Sequence, residues 1–591
     1  MIPTDPYEPF VLLDDARENG ADARLFRDPV EIVAARDHGE IPVALERLEA
    51  ARRDGLFAAG YLSYEAGFAF EDKLGALKHP PADGAPSLLW FGLFEAVERI
   101  PAGSITGLLP DPAGSHAGAP VPRLSRPAYM RHLTRVQDYI AAGDIYQANF
   151  TFQADVPVDG HPLALYARMR AASRAGYGGI VRTGEQWLLS LSPELFFSLV
   201  DGTITTRPMK GTAARNRDPA PDRHVRRSLR EDPKQRAENL MIVDLLRNDL
   251  SRIARPGSVA VPSLFHVESF PTIHQMTSTV TAEIGDGLAI SDLLRAIYPC
   301  GSITGAPKIR AMEIIDECEA GPRGAYTGSI GWIGPDGDAA FNVAIRTLAL
   351  REGERRASLG LGSGIVADSK PQEEWEECLA KGAFVTEGQT PFDLIETMRF
   401  EPDTGIVRLE RHLERLKSSA EALGFAFDRH AARNELQAAT FRLATLSKIR
   451  LLLSRRGRFA IEIRPLQPSP QEPVAVDIAP RRADSTDFRL LHKTTDRSIY
   501  KRAREDSEGY ETLLEDEDGY LTEGCFTNIF VERGDRLLTP PLSRGILPGV
   551  LRTSLIEEGR AEEADLQRGD LLAGFYVGNT LRGMIKARLE S

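Results

Sequence analysis

The chain has 591 residues, too many for one ordinary hydrophobic core, so more than one domain is expected. Its 42% hydrophobic and 27% charged content suits a globular protein, and a net charge of −13 argues against general electrostatic binding to nucleic acid or anionic lipid. Four scattered cysteines without zinc-like or disulfide-like spacing, an N-terminus (MIPTDPYEPFVLLDDAREN) without secretion-signal character, and no apolar run of about 18 residues together lead to the expectation of a cytoplasmic protein.

Residues 1–100 mix short strand-like runs such as LFAAGYLSYEAGFAF with Pro/Gly turns. GSHAGAPVP, 114–122, reads as an exposed loop. A helix follows, with Met130, Leu133, Val136 and Ile140 on one face and Gly143 as its stop. Further on, TRPMKGTAAR places Lys210 just after a strand-like run. Its amine is either a solvated surface charge or a group buried beside a reacting carbon. AENLMIVDLLRNDLSRIA, 237–254, reads as a largely buried helix opened by Glu238, and a charge before such an apolar run needs a partner or a task. On the helix 373–381, Glu374, Glu377 and Lys381 share one face. That face is either a solvated acidic surface with an ion pair or part of an oxygen-rich Mg²⁺ site. The pattern changes near EGQTP, 387–391, where PFDLIETMRF and RLERHLERLKSSAEALGF begin. Two units are expected, 1–387 and 391–591, without internal repeat.

SLSPELFF, TRPMKGT, AENLMIVDLLRNDLSR, YPCGSITGAPKIRAMEII, RGAYTGSIGWIG, FNVAIRT and GSGIVADSKPQEEWEECLAKG follow one another in the order seen in a known family. On these motifs the first unit resembles the chorismate-utilising enzymes, which include anthranilate, aminodeoxychorismate, isochorismate and salicylate synthases. The resemblance runs over about 125–385, with weaker support from GYLSYEAG and VLLDDA upstream. It implies an α+β fold, a two-layer sandwich. It also implies that Glu238, Glu374 and Glu377 are Mg²⁺ carboxylates. Tyr326, Arg346, the backbone around Gly362 and Gly364, and Lys381 would hold the substrate carboxylates. Gln147 and Thr212 would also face the substrate. His274 matches the active-site histidine rather than a satisfied core histidine. Glu194 matches the general acid for the departing C4 hydroxyl, which requires a raised pKa.

Two positions separate the members. Where water-adding members carry a lysine base this chain has Gln147, which argues against isochorismate or salicylate synthesis. Where anthranilate synthases have alanine this chain has Lys210, as aminodeoxychorismate synthases do. The family mechanism implied has the Lys210 amine attack ring C2 before ammonia attacks C4. A free lysine holds only about 0.04% neutral amine at pH 7, so its pKa must be lowered. No glutaminase-type cysteine is evident, and Cys300 stands where the family commonly has alanine. A separate glutamine amidotransferase subunit, or free ammonia, is the expected nitrogen source. VLLDDA differs from the Leu-Leu-Glu-Ser of tryptophan-sensitive anthranilate synthases, so tryptophan inhibition is not expected.

In the second unit FDLIETMRF, HLERLKSSAEALGF, LHKTTDRSIYKRARE, GYLTEGCFTNIFV, GILPGVLRTSLIEE and VGNTLRGMI resemble the fold-type IV pyridoxal phosphate enzymes. That family includes branched-chain and D-amino acid aminotransferases and 4-amino-4-deoxychorismate lyase. The resemblance implies Lys493 as the Schiff-base lysine, Glu523 as the partner of the pyridine nitrogen, and Arg415 as a phosphate ligand. The backbone N–H groups of Val550 and Leu551 would cradle the phosphate, with Asn579 and Thr580 adding contacts. Lyase and transaminase share these motifs. The fusion favours a lyase that releases pyruvate and leaves 4-aminobenzoate, a folate precursor. A homodimer through this unit is expected from the family.

Overall fold

A computed structural model describes residues 8–216, 218–269, 273–285, 287–505 and 507–590. The chain forms two compact units, and neither is one continuous stretch. The first holds residues up to 109, 119–156 and 166–388; the second holds 110–118, 157–165 and 389 onward.

Two antiparallel sheets build the first unit. One runs Gly305–Ala306, Gln147–Asp159, Arg356–Ile365, Thr347–Arg351, Gln186–Ser192, Tyr177–Arg182, Phe10–Asp14, Ala23–Arg27 and Glu98–Ile100. The other runs Met209–Ala214, Ile273–Glu283, Thr203–Arg207, Leu195–Val200, Ala339–Asn342, Ser329–Ile333, Phe57–Leu62, Leu89–Phe94 and Glu31–Ala35. Alternate side chains point to opposite faces of a strand. Val11, Phe26, Val181 and Leu188 of the first sheet thereby meet Tyr61, Trp90 and Ile330 of the second in the inner core. On the far side of the second sheet, Leu45, Ile242, Leu246 and Leu294 come from helices Ile41–Arg53, Pro233–Ser251 and Ile290–Ile297 and cover Phe197, Val280 and Phe341. Beside the first sheet, Tyr129 and Trp375 from helices Arg126–Ala142 and Pro371–Lys381 cluster with Phe150 and Phe152 at centroid distances of 5.1 to 5.6 Å. Such ring pairs add about 0.5–1.5 kcal/mol each beyond the area they bury.

The helix Arg126–Ala142 buries Tyr129, Leu133 and Val136, and it stops at Gly143 (φ 82°), where a left-handed residue is needed. The next strong helix begins at Pro233 rather than 237, because Asp232 caps the Gln235 N–H at 2.9 Å and proline suits the first turn. It is not largely buried: Ile242, Val243, Leu246 and Leu250 face inward while Leu240 is 42% exposed. The expectation of an exposed loop at 114–122 also fails in its first half. Ser115, His116 and Ala117 are buried, and His116–Ala117 pairs with Asp159 and Val158. The small residues there reflect close approach, not solvent. A Cβ on Gly160 would come 2.3 Å from the Gly114 carbonyl oxygen, and the His116 Nε2 lies 2.8 Å from the Leu423 carbonyl oxygen.

The second unit has two layers of its own. A four-stranded antiparallel sheet (Gly405–Ile406, Leu394–Glu401, Ser447–Leu453, Phe459–Pro465) packs on helices Leu409–Leu423 and Arg429–Thr440 around Leu394, Met398, Leu413, Leu416, Ile449 and Leu451. An eight-stranded mixed sheet follows, with Val474–Pro480 parallel to both Glu511–Glu515 and Gly583–Leu589. The expected α+β sandwich is what the first unit forms, and the second unit follows it with two sheets of its own. Among the described residues no helix is long and apolar enough to cross a membrane.

Candidate active sites

Lys210 lies on the edge strand Met209–Ala214. The pairing of that strand with Ile273–Glu283 slips between Met209 and Thr212, and Gly211 takes φ 87°. A bulge of this kind re-aims a side chain. The Lys210 amine reaches Gly364: a Cβ there would fall 2.6 Å from Lys210 Nζ and 2.9 Å from Gln147 Nε2. Burial lowers the Lys210 pKa and Lys381 adds to that, against the pull of Glu238, Glu377 and Glu194.

Glu194 is 4% exposed, and burial pushes its pKa up to about 7 despite hydrogen bonds from Ser302 and the Met209 N–H and the charge of Lys210. Among the described residues its Oε1 is buried without a partner, as are both amide atoms of Gln147. An unsatisfied buried polar atom costs about 1–3 kcal/mol, so three of them around one lysine mark a place built for a polar ligand. Ser302 escaped the sequence reading, although the hydroxyl in YPCGSITG was its signal.

Gly362 and Gly364 share the strand Arg356–Ile365. A Cβ on Gly362 would meet Thr151 Cγ2 at 2.6 Å, so this backbone stays bare by necessity. Lys381 donates to the Gly362 carbonyl oxygen at 3.0 Å and pairs with Glu377 at 2.7 Å. The Tyr326 ring occupies the space a Gly360 side chain would need. Arg346 (φ 50°) and Thr327 (φ 60°) both sit in the left-handed region, a strain of order 1–3 kcal/mol each that concentrates at ligand sites. Burial lowers the Arg346 pKa.

Thr212 is exposed and donates to Gln275 Oε1 at 2.8 Å. His274 is buried, with Nε2 2.9 Å from Asp222 Oδ1 and Nδ1 2.8 Å from Ser269 Oγ. Both ring nitrogens are thus taken within that corner of the sheet, the arrangement of a satisfied core histidine. Of the three expected metal carboxylates, Glu238 is half-buried, and burial raises its pKa against the pull of Lys210 and Lys234. Glu374 accepts from Ser369 Oγ at 2.7 Å, and Glu377 is turned to Lys381. Among the described residues no three His, Cys, Asp or Glu side chains converge as a ligand set. The expected trio therefore shares one electrostatic neighbourhood without forming a closed cage. Such a set fits a Mg²⁺ ion held by one or two carboxylates plus ligand oxygens.

In the second unit a cavity of about 420 Å³ is lined by all seven residues expected to hold pyridoxal phosphate: Arg415, Lys493, Glu523, Val550, Leu551, Asn579 and Thr580. Burial, with Arg415, pulls the Lys493 pKa down to about 7. Burial pushes Glu523 up to about 7, while Tyr500 Oη donates to it at 2.7 Å and the Leu547 N–H at 3.2 Å. Gly549 precedes the helix Val550–Glu557, and a Cβ there would fall 1.7 Å from Asn528 Oδ1. The first amides of a helix have no carbonyl partner within it, so Val550 and Leu551 present free donors of the kind a phosphate uses. Asn579 Nδ2 donates to the Phe526 carbonyl, and its Oδ1 accepts from the Arg582 N–H. An amine, a carboxyl and a donor-rich helix end around one cavity fit the cofactor's aldehyde, ring nitrogen and phosphate.

Three further residues were not singled out in the sequence. Glu396, 1% exposed, accepts Arg415 Nε at 2.8 Å and Nη2 at 2.6 Å, and lies 2.6 Å from His412 Nδ1. Despite burial, Arg415 and His412 hold its pKa far below the usual carboxylate range. Tyr500 orients Glu523. Nothing in FDLIETMRF distinguished Glu396 from a surface acid.

A family model described as chorismate binding enzyme matches residues 9–387, and one described as amino-transferase class IV matches 393–589. Aminodeoxychorismate synthase component 1 of Salmonella typhimurium is 45% identical over 258 residues, which are 44% of this chain and 56% of that protein. Anthranilate synthase component 1 of Streptomyces coelicolor is 40% identical over 259 residues, 44% of this chain and 50% of that protein. The chain thus spans little more than half the length of these relatives. The crystal structure of anthranilate synthase component I from Streptococcus pneumoniae TIGR4 shares the fold, with a TM-score of 0.53 at 24% identity over 62% of this chain and 93% of that one. Members of the two families typically use Mg²⁺ and pyridoxal phosphate. The chain belongs to the chorismate binding enzymes and carries an aminotransferase class IV unit behind that domain.

Proposed function

We propose that the first unit converts chorismate and ammonia to 4-amino-4-deoxychorismate, and that the second eliminates pyruvate from that product to leave 4-aminobenzoate. The observation that carries the first half is the Lys210 amine, partly buried against Gly364 and beside the unpaired Gln147 and Glu194 atoms. The lowered pKa raises the neutral fraction of Lys210 Nζ, the form that acts as a nucleophile. It forms a bond to ring C2 as both ring double bonds shift and the C4 hydroxyl departs as water, taking its proton from Glu194. Ammonia then attacks C4, both double bonds shift back, the lysine leaves with its electron pair, and the new ammonium returns a proton to Glu194. The acid is suited to this step because burial keeps it protonated near neutral pH. Gln147 cannot take a proton from water, which disfavours hydration of the ring. Glu238, with Glu374 or Glu377, would hold Mg²⁺ against a substrate carboxylate. Ammonia would come from a separate glutamine amidotransferase, the component with which relatives of the synthase type pair.

In the second unit, bound pyridoxal phosphate would supply an electron sink for the carbon it activates. Lys493 Nζ, at about 7, can hold or release a proton near neutral pH. Arg415 and the Val550 and Leu551 amides would fix the phosphate, and Glu523 would hydrogen-bond the ring nitrogen. The family description favours a second reading, in which this unit transfers an amino group to an α-keto acid.

Product identification by mass spectrometry tests both halves, using chorismate, Mg²⁺ and ammonium with and without pyridoxal phosphate. Equal amounts of 4-aminobenzoate and pyruvate that require the cofactor are expected. Accumulation of 4-amino-4-deoxychorismate with cofactor present would transfer the second unit to the transaminase reading. Anthranilate would overturn the role of Lys210.

A further inference from the structure

The second unit is completed by two segments from far upstream, 110–118 and 157–165. Both fall within residues 9–387, the stretch matched by the chorismate binding model. One contact from each segment falls on the few residues that lead into Lys493. Asp159, 5% exposed, lies with Oδ2 2.9 Å from His492 Nε2, while His492 Nδ1 lies 3.0 Å from Ser419 Oγ. His492 directly precedes Lys493. Earlier in the same turn Arg489, 4% exposed, is bound to Asp487 at 2.6 Å and to Asp111 at 3.0 Å.

After Lys493 the chain is zipped to the neighbouring strand. The Lys493 carbonyl accepts the Ile395 N–H at 2.9 Å, Thr494 bridges Leu394, and the Thr495 N–H donates to the Asp393 carbonyl at 2.8 Å. Before Lys493 no comparable ladder runs among the described residues. The short helix Phe488–Leu491 ends there, and the His492 N–H returns to the Phe488 carbonyl at 2.9 Å. The direction in which the Lys493 side chain leaves the backbone is thus set on one side by strand pairing and on the other by the His492 ring.

We propose that Asp159 is a positioning residue for Lys493, acting through His492. A carboxylate acceptor at Nε2 fixes that nitrogen as the donor and leaves Nδ1 to accept from Ser419, so one tautomer and one ring orientation are selected. Neither Asp159 nor His492 lines the cofactor cavity. Their effect reaches the cavity only through the placement of the Lys493 backbone, and a small rotation there is multiplied along a long side chain. The inference rests on reading Lys493 as the cofactor-bearing lysine.

The test uses the full chain loaded with pyridoxal phosphate and compares wild type, Asp159→Asn, His492→Asn and the double variant. Asp155→Asn serves as a control, since it breaks the Arg123 pair on the same strand at 2.6 Å without touching His492. Cofactor Kd and the pH midpoint of the cofactor absorbance band are read, with circular dichroism and Tm reporting the fold. Asp159→Asn is expected to raise Kd about tenfold and move the midpoint by at least about half a unit, with the double variant no worse than either single one. The control is expected to stay within about twofold of wild type. A folded Asp159→Asn protein with unchanged Kd and midpoint overturns the proposal. Should that variant be insoluble, unchanged values for His492→Asn overturn it equally. Borohydride reduction and peptide mapping of the wild type separate the two levels. Cofactor fixed on a lysine other than Lys493, or on none, removes the underlying reading and the proposal with it, and that result is read without any variant.

Discussion

Lys210 and Gly364 are fitted to one another: the amine of the first occupies the space a Cβ on the second would take, 2.6 Å from its ideal position. Gln147 Nε2 stands 2.9 Å from the same point. Gly364→Ala should therefore displace the amine rather than unfold the sheet. Overpacking of this kind costs about 1–3 kcal/mol, and a misplacement near 1 Å can cost about 100-fold in rate. A fall of about 100-fold in chorismate amination with a cooperative, slightly lowered Tm is expected. Unchanged turnover would show that the amine has no fixed place.

Lys210→Ala is expected to abolish formation of the 4-amino product while chorismate still binds. Any residual product should shift toward anthranilate, because the methyl side chain opens a path to C2. Mass spectrometry of the products checks this, and undiminished 4-amino product would remove Lys210 from the mechanism.

Glu194 carries a signed pH dependence. Its folded pKa of about 7 lies above the ordinary value of 4.5. Its contribution to stability is therefore present in full below pH about 4.5 and is lost as pH rises through about 7. Glu194→Gln should gain on the wild type as pH rises, by up to about 3 kcal/mol at pH 8 and little at pH 4. Denaturant titrations at the two pH values measure this. The same change should cost about 10²–10⁴-fold in amination and erase the decline in rate above pH 7.

Glu396 neutralises Arg415 and is hydrogen-bonded to His412 inside the second unit. Glu396→Gln leaves a buried guanidinium without its bidentate partner, and breaking such a pair costs about 3–5 kcal/mol. A loss of that size in the unfolding of the second unit, with weaker cofactor binding, is expected from denaturation monitored by cofactor fluorescence. A loss under about 1 kcal/mol would show that the pair contributes little.

A fragment beginning at Gln389 lacks Asp111, His116 and Asp159. Arg489 and His492, both buried, then lose Asp111 and Asp159 and keep only Asp487 and Ser419 among the side chains named for them. With about 3–5 kcal/mol at stake and about 2–4 °C per kcal/mol for a unit of this size, Tm should fall by about 10 °C or more. A fragment as stable as the second unit within the full chain would contradict this.

The candidate chemistry was legible in the sequence because it resides in ordered local motifs. PMKGT, SPELFF and GSGIVADSKPQEEWEECLAKG carry Lys210, Glu194, Gly364, Glu377 and Lys381, and LHKTT and LTEGCFTN carry Lys493 and Glu523. The misreading of 114–122 and the orientations that the sequence left open have a common cause. GSHAGA, rich in small residues, has the composition of a solvent loop, yet small residues also permit backbone to approach backbone. The expected metal trio shares helix spacing and motif order, but neither states which way a carboxylate turns, and Ser369 and Lys381 claim two of them. His274 matched its motif while Asp222, from another element, took one of its nitrogens.

By itself the sequence determined the family and the order of its two family units and nominated the candidate reactive side chains, since hydrophobic period and motif spacing are local properties of the chain. Only the tertiary structure decided which groups share a low-dielectric neighbourhood. Burial lowers the Lys210 and Lys493 pKa values and raises those of Glu194 and Glu523. Desolvation and charge–charge interactions depend on distance in space, which sequence separation does not encode. For the same reason Asp159 and His492, 333 residues apart, could meet only in the folded chain.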